Sequence, residues 1–136
     1  MPEVDFSLPI RVYYQDTDAG GVVYHATHLH FLERARYEWL REFGFTANSL
    51  IESHGIIFMI RSLEIEYSKP ARLDNLLTVT VKVTHIGRSR ITLFQEILLE
   101  NTKLVSATIH VVCVGVTTLK PTSLPMPLRE KIGDIQ

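Results

Sequence analysis

The chain has 136 residues, 46% hydrophobic and 21% charged, with 14 basic residues against 15 acidic and a formal net charge of −1. Such a composition describes one soluble globular domain over residues 1–136. It excludes the basic excess of a nucleic-acid binder, though not a local basic patch for a phosphate-bearing ligand.

The N-terminus carries no basic stretch followed by an apolar one, and no apolar run approaches the ~18–20 residues that span a bilayer. A cytoplasmic protein without membrane insertion is therefore expected. Ile10, Val12 and Tyr14 alternate with Arg11 and Tyr13, the period of a strand. Turn residues from Asp16 to Gly21 break it. From about residue 26 to residue 43 the period changes. Leu29, Leu32, Ala35 or Arg36, Trp39, Leu40 and Phe43 recur at three and four, while Arg34, Glu38, Arg41 and Glu42 fill the other side. Gly44 follows, as expected just past a helix end. That helix would run roughly 27 Å, long for so short a chain.

Strands follow. Residues 56–60 form an apolar run, and Leu63, Ile65 and Tyr67 then alternate. Residues 69–74 read as a loop, because Pro70 cannot donate to a ladder. Leu77, Val79, Val81 and Val83 alternate with polar residues. Gly87, Arg88 and Ser89 make a turn, and residues 91–100 and 104–116 are two further long strands. Beyond Lys120, three prolines mark an irregular tail with a final helical turn. The lone cysteine, Cys113, lies in the apolar run 111–114; it excludes an intrachain disulfide and reads as a buried small hydrophobe.

A strand, a long helix, then antiparallel strands joined by short turns predict an α+β hot-dog fold: one curved antiparallel sheet of five or six strands wrapped around one long helix. A ferredoxin-like sandwich would need a second long helix between strands, and nothing between residues 56 and 116 holds a helical period. The strands also carry apolar residues beyond one alternating face, notably at 56–60 and at Val111, Val112 and Val114. Another subunit is expected to cover them, giving a homodimer as the minimal active unit, doubled to a tetramer.

Chemistry concentrates in residues 13–25. Asp16 and Asp18 flank a strand end, Gly20 and Gly21 follow, and then a helix begins. A helix N-terminus presents unpaired N–H groups and the positive end of a dipole. Beside a carboxylate, it could hold an oxyanion while the carboxylate attacks or activates water. The same spacing also suits turn and capping carboxylates. A metal site built on Asp16, Asp18, His25, His28 and His30 lacks a ligand set of recognisable spacing.

The segment RVYYQDTDAGGVVYHA at 11–26, with FLERAR at 31–36, resembles the YbgC family of Tol–Pal-associated acyl-CoA thioesterases, related to 4-hydroxybenzoyl-CoA thioesterase. The likeness covers most of the chain, including EYSKPARLD at 66–74 and Cys113. It implies hydrolysis of short-chain aliphatic acyl-CoA, with an aromatic acyl-CoA as the alternative substrate. Asp18 would be the catalytic carboxylate, as nucleophile or general base. A backbone N–H near His25 would polarise the carbonyl, and Tyr14 and His25 occupy active-site positions. For coenzyme A phosphates the resemblance favours the turn bearing Arg88 and Ser89, with Lys69 and Arg72 as other candidates. Ile60 and Arg61 complete the substrate-binding candidates, and Ile57, Phe58, Met59 and Ile60 could line the acyl pocket. No cofactor or metal is implied. The expected partners are acyl-CoA, a second copy of the chain and acyl carrier protein. A non-catalytic interaction protein is the competing class; the intact Asp18 and its glycines favour an enzyme. The chain lacks the His-Phe-Pro-Gly segment of hot-dog dehydratases.

Overall fold

A computed structural model describes residues 5–133. Strand β1 (Phe6–Arg11) leads through a single 3-10 turn (Tyr14–Asp16) to helix α1 (Thr27–Glu42) and helix α2 (Ala47–His54). Strands β2 (Ile56–Tyr67), β3 (Leu76–Ile86), β4 (Arg90–Leu99) and β5 (Thr102–Gly115) follow, and helix α3 (Met126–Gly133) ends the described chain. The strands form one five-stranded sheet in the order β1-β3-β4-β5-β2, with every neighbouring pair antiparallel.

One face of this sheet is apolar, and that face sets the register. Leu77, Val79, Val81 and Val83 of β3, Ile91, Leu93 and Ile97 of β4, and Val105, Ala107, Ile109 and Cys113 of β5 are all buried. They pack around α1, which buries His28, Phe31, Leu32, Ala35 and Trp39. This is the expected sheet wrapped around a long helix. The buried stripe is rotated from the one read in the sequence: Leu29 is exposed, and His28 takes the inward position. Among the described residues no helix is long and apolar enough to cross a membrane.

β2 is one strand where the sequence read as two pieces. Ile60 pairs with Val111, but Ser62 pairs with His110, so Arg61 is an inserted residue, a β-bulge. Before the bulge, Phe58 and Ile60 lie opposite Cys113 and Val111. After it, Leu63, Ile65 and Tyr67 lie opposite the inward residues Ile109, Ala107 and Val105. The bulge thus moves the inward face from even to odd positions, which is why the sequence shows an apolar run and then an alternation. A second bulge at Leu104 leaves it and Val105 both buried.

Three local expectations are corrected. β1 stops at Arg11, so Tyr14 is not in a strand; the carboxylate of Asp16 accepts from the Tyr13 N–H at 2.8 Å and curls the chain into the 3-10 turn. Helix α2 was not expected, because Leu50 is its only buried residue and leaves no apolar period to read. A reciprocal cap starts it: Thr46 Oγ1 accepts from the Ser49 N–H at 3.0 Å and Ser49 Oγ accepts from the Thr46 N–H at 2.9 Å. Gly55, at φ 64°, ends it in a conformation that suits glycine. The tail forms two turns of helix where one was expected, held by buried Leu128 and Ile132.

Thr46→Ala should cost about 1 kcal/mol of stability, lowering Tm by roughly 3 °C. An unchanged melting curve would show that the cap does not hold α2.

Candidate active site

Asp18 sits at the tip of a tight hairpin that delivers the chain to α1. Thr17 bridges Val23, the Asp18 N–H donates to the Val22 carbonyl at 3.1 Å, and the Gly21 N–H returns to the Asp18 carbonyl at 3.0 Å. Gly21 has φ 76°, which closes the turn and suits only a residue without Cβ strain. The Gly20 N–H donates to Asp18 Oδ1 at 3.0 Å, which fixes the carboxylate. Asp18 Oδ2 meets no donor among the described residues, and the side chain is exposed. Asp16 has the opposite fate. Its carboxylate is spent on the Tyr13 N–H and its carbonyl accepts from the Tyr24 N–H at 3.3 Å. Of the two acids that spacing alone could not separate, one is a turn residue and the other presents a free oxygen.

The loop after β2 braces this hairpin. Val23 donates to the Ala71 carbonyl at 2.8 Å, Leu73 donates to the Gly21 carbonyl at 3.1 Å, and Val22 bridges Arg72. Ala71 is fully buried beneath it. The segment 66–74 therefore supports the site through its backbone. Arg72 and Lys69 are exposed and line neither of the cavities described below.

Helix α1 begins without a side-chain cap, since Ala26 at the cap position has no oxygen to offer. The backbone N–H groups of His25 and Ala26 find no acceptor among the described residues. Uncapped donors at a helix start are suited to an anion or a developing oxyanion. The His25 ring is exposed and packs on Tyr24, with ring centroids 4.4 Å apart. Asp18 and His25 are thus brought to one hairpin–helix junction. Tyr14 joins it only through its backbone; its side chain is 83% exposed. Among the described residues no group of three or more His, Cys, Asp or Glu side chains is placed to hold a metal ion.

Two cavities flank β2. One, of about 300 Å³, lies between α1, α2 and the sheet and is mainly apolar, walled by Trp39, Leu40, Leu50, Ile57, Phe58, Ile60 and Leu93 among others. Three of the four acyl-pocket candidates line it. Met59 does not. The second cleft, of about 460 Å³, is polar and basic: Arg61, Arg88 and Arg90 line it with Ser89, His85 and His110. The structure therefore gathers Arg61, Arg88 and Ser89 in one place, and Ile60, the residue before the bulge, faces the other cavity. Val111 lines both.

The sequence did not reveal two supports. Arg129 of α3 donates to the carbonyls of Gly87 and Arg88, pinning the basic turn from behind. Gln95 is fully buried; its amide donates to the Leu32 carbonyl at 3.1 Å and the Thr80 carbonyl at 3.2 Å, and its oxygen accepts from Arg36 at 3.0 Å. Gln95 interrupts the inward series Ile91, Leu93, Ile97, which was the available signal. Burial pushes the Arg36 pKa down from its ordinary value, and Glu33 opposes that. Cys113 is buried as expected, and burial pushes its thiol up to about 11, far from a reactive thiolate.

An antiparallel sheet wrapped around one long helix is a fold shared with known proteins. The model of the thioesterase-like superfamily covers residues 12–132, and the chain belongs to that superfamily. It is 46% identical over 125 residues to the acyl-CoA thioesterase YbgC of Haemophilus influenzae, a match spanning 91% of each chain. It is 44% identical over 121 residues to the acyl-CoA thioester hydrolase YbgC of Escherichia coli, covering 88% of this chain and 90% of that one. Among solved structures, a 1,4-dihydroxy-2-naphthoyl-CoA thioesterase from Synechocystis superposes with a TM-score of 0.88 at 26% identity, covering 96% of each chain. The chain is a thioester hydrolase of the hot-dog fold.

Proposed function

We propose that this enzyme hydrolyses short-chain aliphatic acyl-CoA to the free acid and coenzyme A, with Asp18 as nucleophile or general base. The observation that carries the reading is the free oxygen of Asp18 at the same junction as the unpaired N–H groups of His25 and Ala26. In one route a carboxylate oxygen of Asp18 attacks the thioester carbon, the C–S bond breaks, and coenzyme A leaves as a thiolate. Water then hydrolyses the mixed anhydride. In the other route Asp18 takes a proton from water as that water attacks. Either way negative charge gathers on the thioester oxygen, and the helix-start N–H groups stabilise it; one such donor is worth roughly 3 kcal/mol elsewhere. The thiolate is a good leaving group, so no strong general acid is required.

The acyl chain fits the apolar cavity behind Ile60, whose 300 Å³ favours a small group. The coenzyme's phosphates fit the basic cleft at Arg61, Arg88 and Ser89. An aromatic acyl group is the alternative occupant, since the Synechocystis structure is of an enzyme named for one. A panel of aliphatic and aromatic acyl-CoA thioesters, ranked by kcat/KM, decides between them. Highest kcat/KM on an aromatic thioester would overturn the aliphatic assignment.

Arg88→Ala should raise KM for acyl-CoA about tenfold, the worth of a charge-assisted hydrogen bond. An acyl-pantetheine substrate lacking the nucleotide should be unaffected. Equal damage to both would place Arg88 in the fold or the acyl site instead.

The working unit in this reading is a homodimer, doubled to a tetramer. β2 is an edge strand paired only with β5, and Met59, Ile60, Leu63 and Tyr67 along it are between 36% and 44% exposed. An apolar unpaired edge of this length invites a second copy of itself. The exposure of Asp18 and His25 fits a site that a partner's strand completes.

A further inference from the structure

Three donors converge on one carbonyl oxygen at the head of α1. The His25 carbonyl accepts from the Tyr67 hydroxyl at 2.8 Å, from His28 Nδ1 at 3.1 Å and from the His28 backbone N–H at 3.3 Å. Two of these donors are side chains that the reaction has no need to touch. A carbonyl can only accept, so Nδ1 of His28 carries the proton and Nε2 is the bare nitrogen. Nε2 is buried and meets no partner among the described residues. Burial also pushes the His28 pKa down, so the ring stays neutral as a one-proton donor. For Tyr67, desolvation pushes the pKa up and keeps its proton in place.

The far end of this same peptide is the Ala26 N–H. A peptide unit is planar, with its carbonyl and N–H pointing in opposite directions. Donors fixed on the oxygen therefore fix the direction of the Ala26 N–H, and they polarise it through the shared amide. Neither it nor the neighbouring His25 N–H has an acceptor among the described residues. Tyr67 reaches this carbonyl from 42 residues away only because the bulge at Arg61 shifts the strand's inward face to odd positions. Without the bulge, Glu66 would face inward in its place.

We propose that His28 and Tyr67 are positioning residues that clamp the His25–Ala26 peptide, so that the Ala26 N–H at the helix start is aimed and polarised for the thioester oxygen. The inference rests on the thioesterase reading for its kinetic consequence, but the clamp itself can be seen without turnover.

Tyr67→Phe keeps the ring, and with it the edge contacts to His25 and His28 at 6.2 and 5.3 Å between centroids. It removes only the donor. It should lower kcat about fivefold with KM within about twofold of wild type, the worth of one ordinary hydrogen bond. His28→Leu should lower kcat by at least as much, and His28→Asn, whose amide can donate from near the Nδ1 position, should recover most of the loss. Carbonyl carbon and amide shifts by NMR read the clamp directly: in Tyr67→Phe the His25 carbonyl carbon should move upfield, together with the Ala26 amide. Unmoved shifts in Tyr67→Phe would overturn the proposal, as would equal kcat for His28→Leu and wild type, or a His28→Asn no better than His28→Leu. Shifts that move as expected in a protein hydrolysing no thioester would support the clamp and count against the thioesterase reading alone.

Discussion

Asp18→Asn is expected to lower kcat at least about a hundredfold with little change in KM, because the lost anion acts in the transition state rather than in binding. The substitution suits the geometry. The asparagine carbonyl can still accept from the Gly20 N–H, as Oδ1 does at 3.0 Å, so the hairpin keeps its shape. What changes is the outward oxygen, which becomes an amide nitrogen that can neither attack a carbonyl nor take a proton from water. Asp16→Asn is the matched control. Its oxygen can go on accepting from the Tyr13 N–H, and activity should fall little. Loss of activity in Asp16→Asn with Asp18→Asn spared would reverse the assignment.

The second large effect concerns the edge of β2. Introducing lysine at both Met59 and Leu63 should turn the assembly into monomers and lower activity roughly tenfold or more. Lysine on an edge strand opposes pairing by charge repulsion and by the cost of drying its ammonium. Met59 is 44% exposed, and Leu63, though on the inward face of this edge strand, is 36% exposed, so a lysine at either position can carry its ammonium to solvent and the fold itself should survive. Met59 lies outside the apolar cavity, and Asp18 is untouched. Light scattering across a dilution series, run beside the assay, gives the result. A fully active monomer at assay concentration would contradict both the shared site and the argument from the exposed edge.

Much of the architecture was legible because burial imposes a period. α1 buries one stripe and β3 to β5 bury one face, so three-four spacing and alternation reveal them. α2 escaped because eight residues with one buried side chain have no period; its signal was the Thr46–Ser49 cap. The bulge at Arg61 escaped because an inserted residue breaks an alternation in the same way that a loop does. At the site, the hairpin, the two acids and the helix start were local and could be read together. The contacts that distinguish them were not. Tyr67 meets His25 across 42 residues, Gln95 meets Arg36 across 59, and Arg129 reaches the Arg88 carbonyl across 41. Such pairings follow from register and packing, which no short segment encodes.

The proposed release of coenzyme A from acyl-CoA at the Asp18 junction is directly testable. The direct measurement is thiol release from a short-chain acyl-CoA by the purified protein, with the Asp18→Asn variant prepared in parallel. Repeated turnover by the wild type, reduced about a hundredfold or more in the variant, is the predicted result. No release above the uncatalysed rate across acyl lengths, or equal release by both proteins, would contradict it.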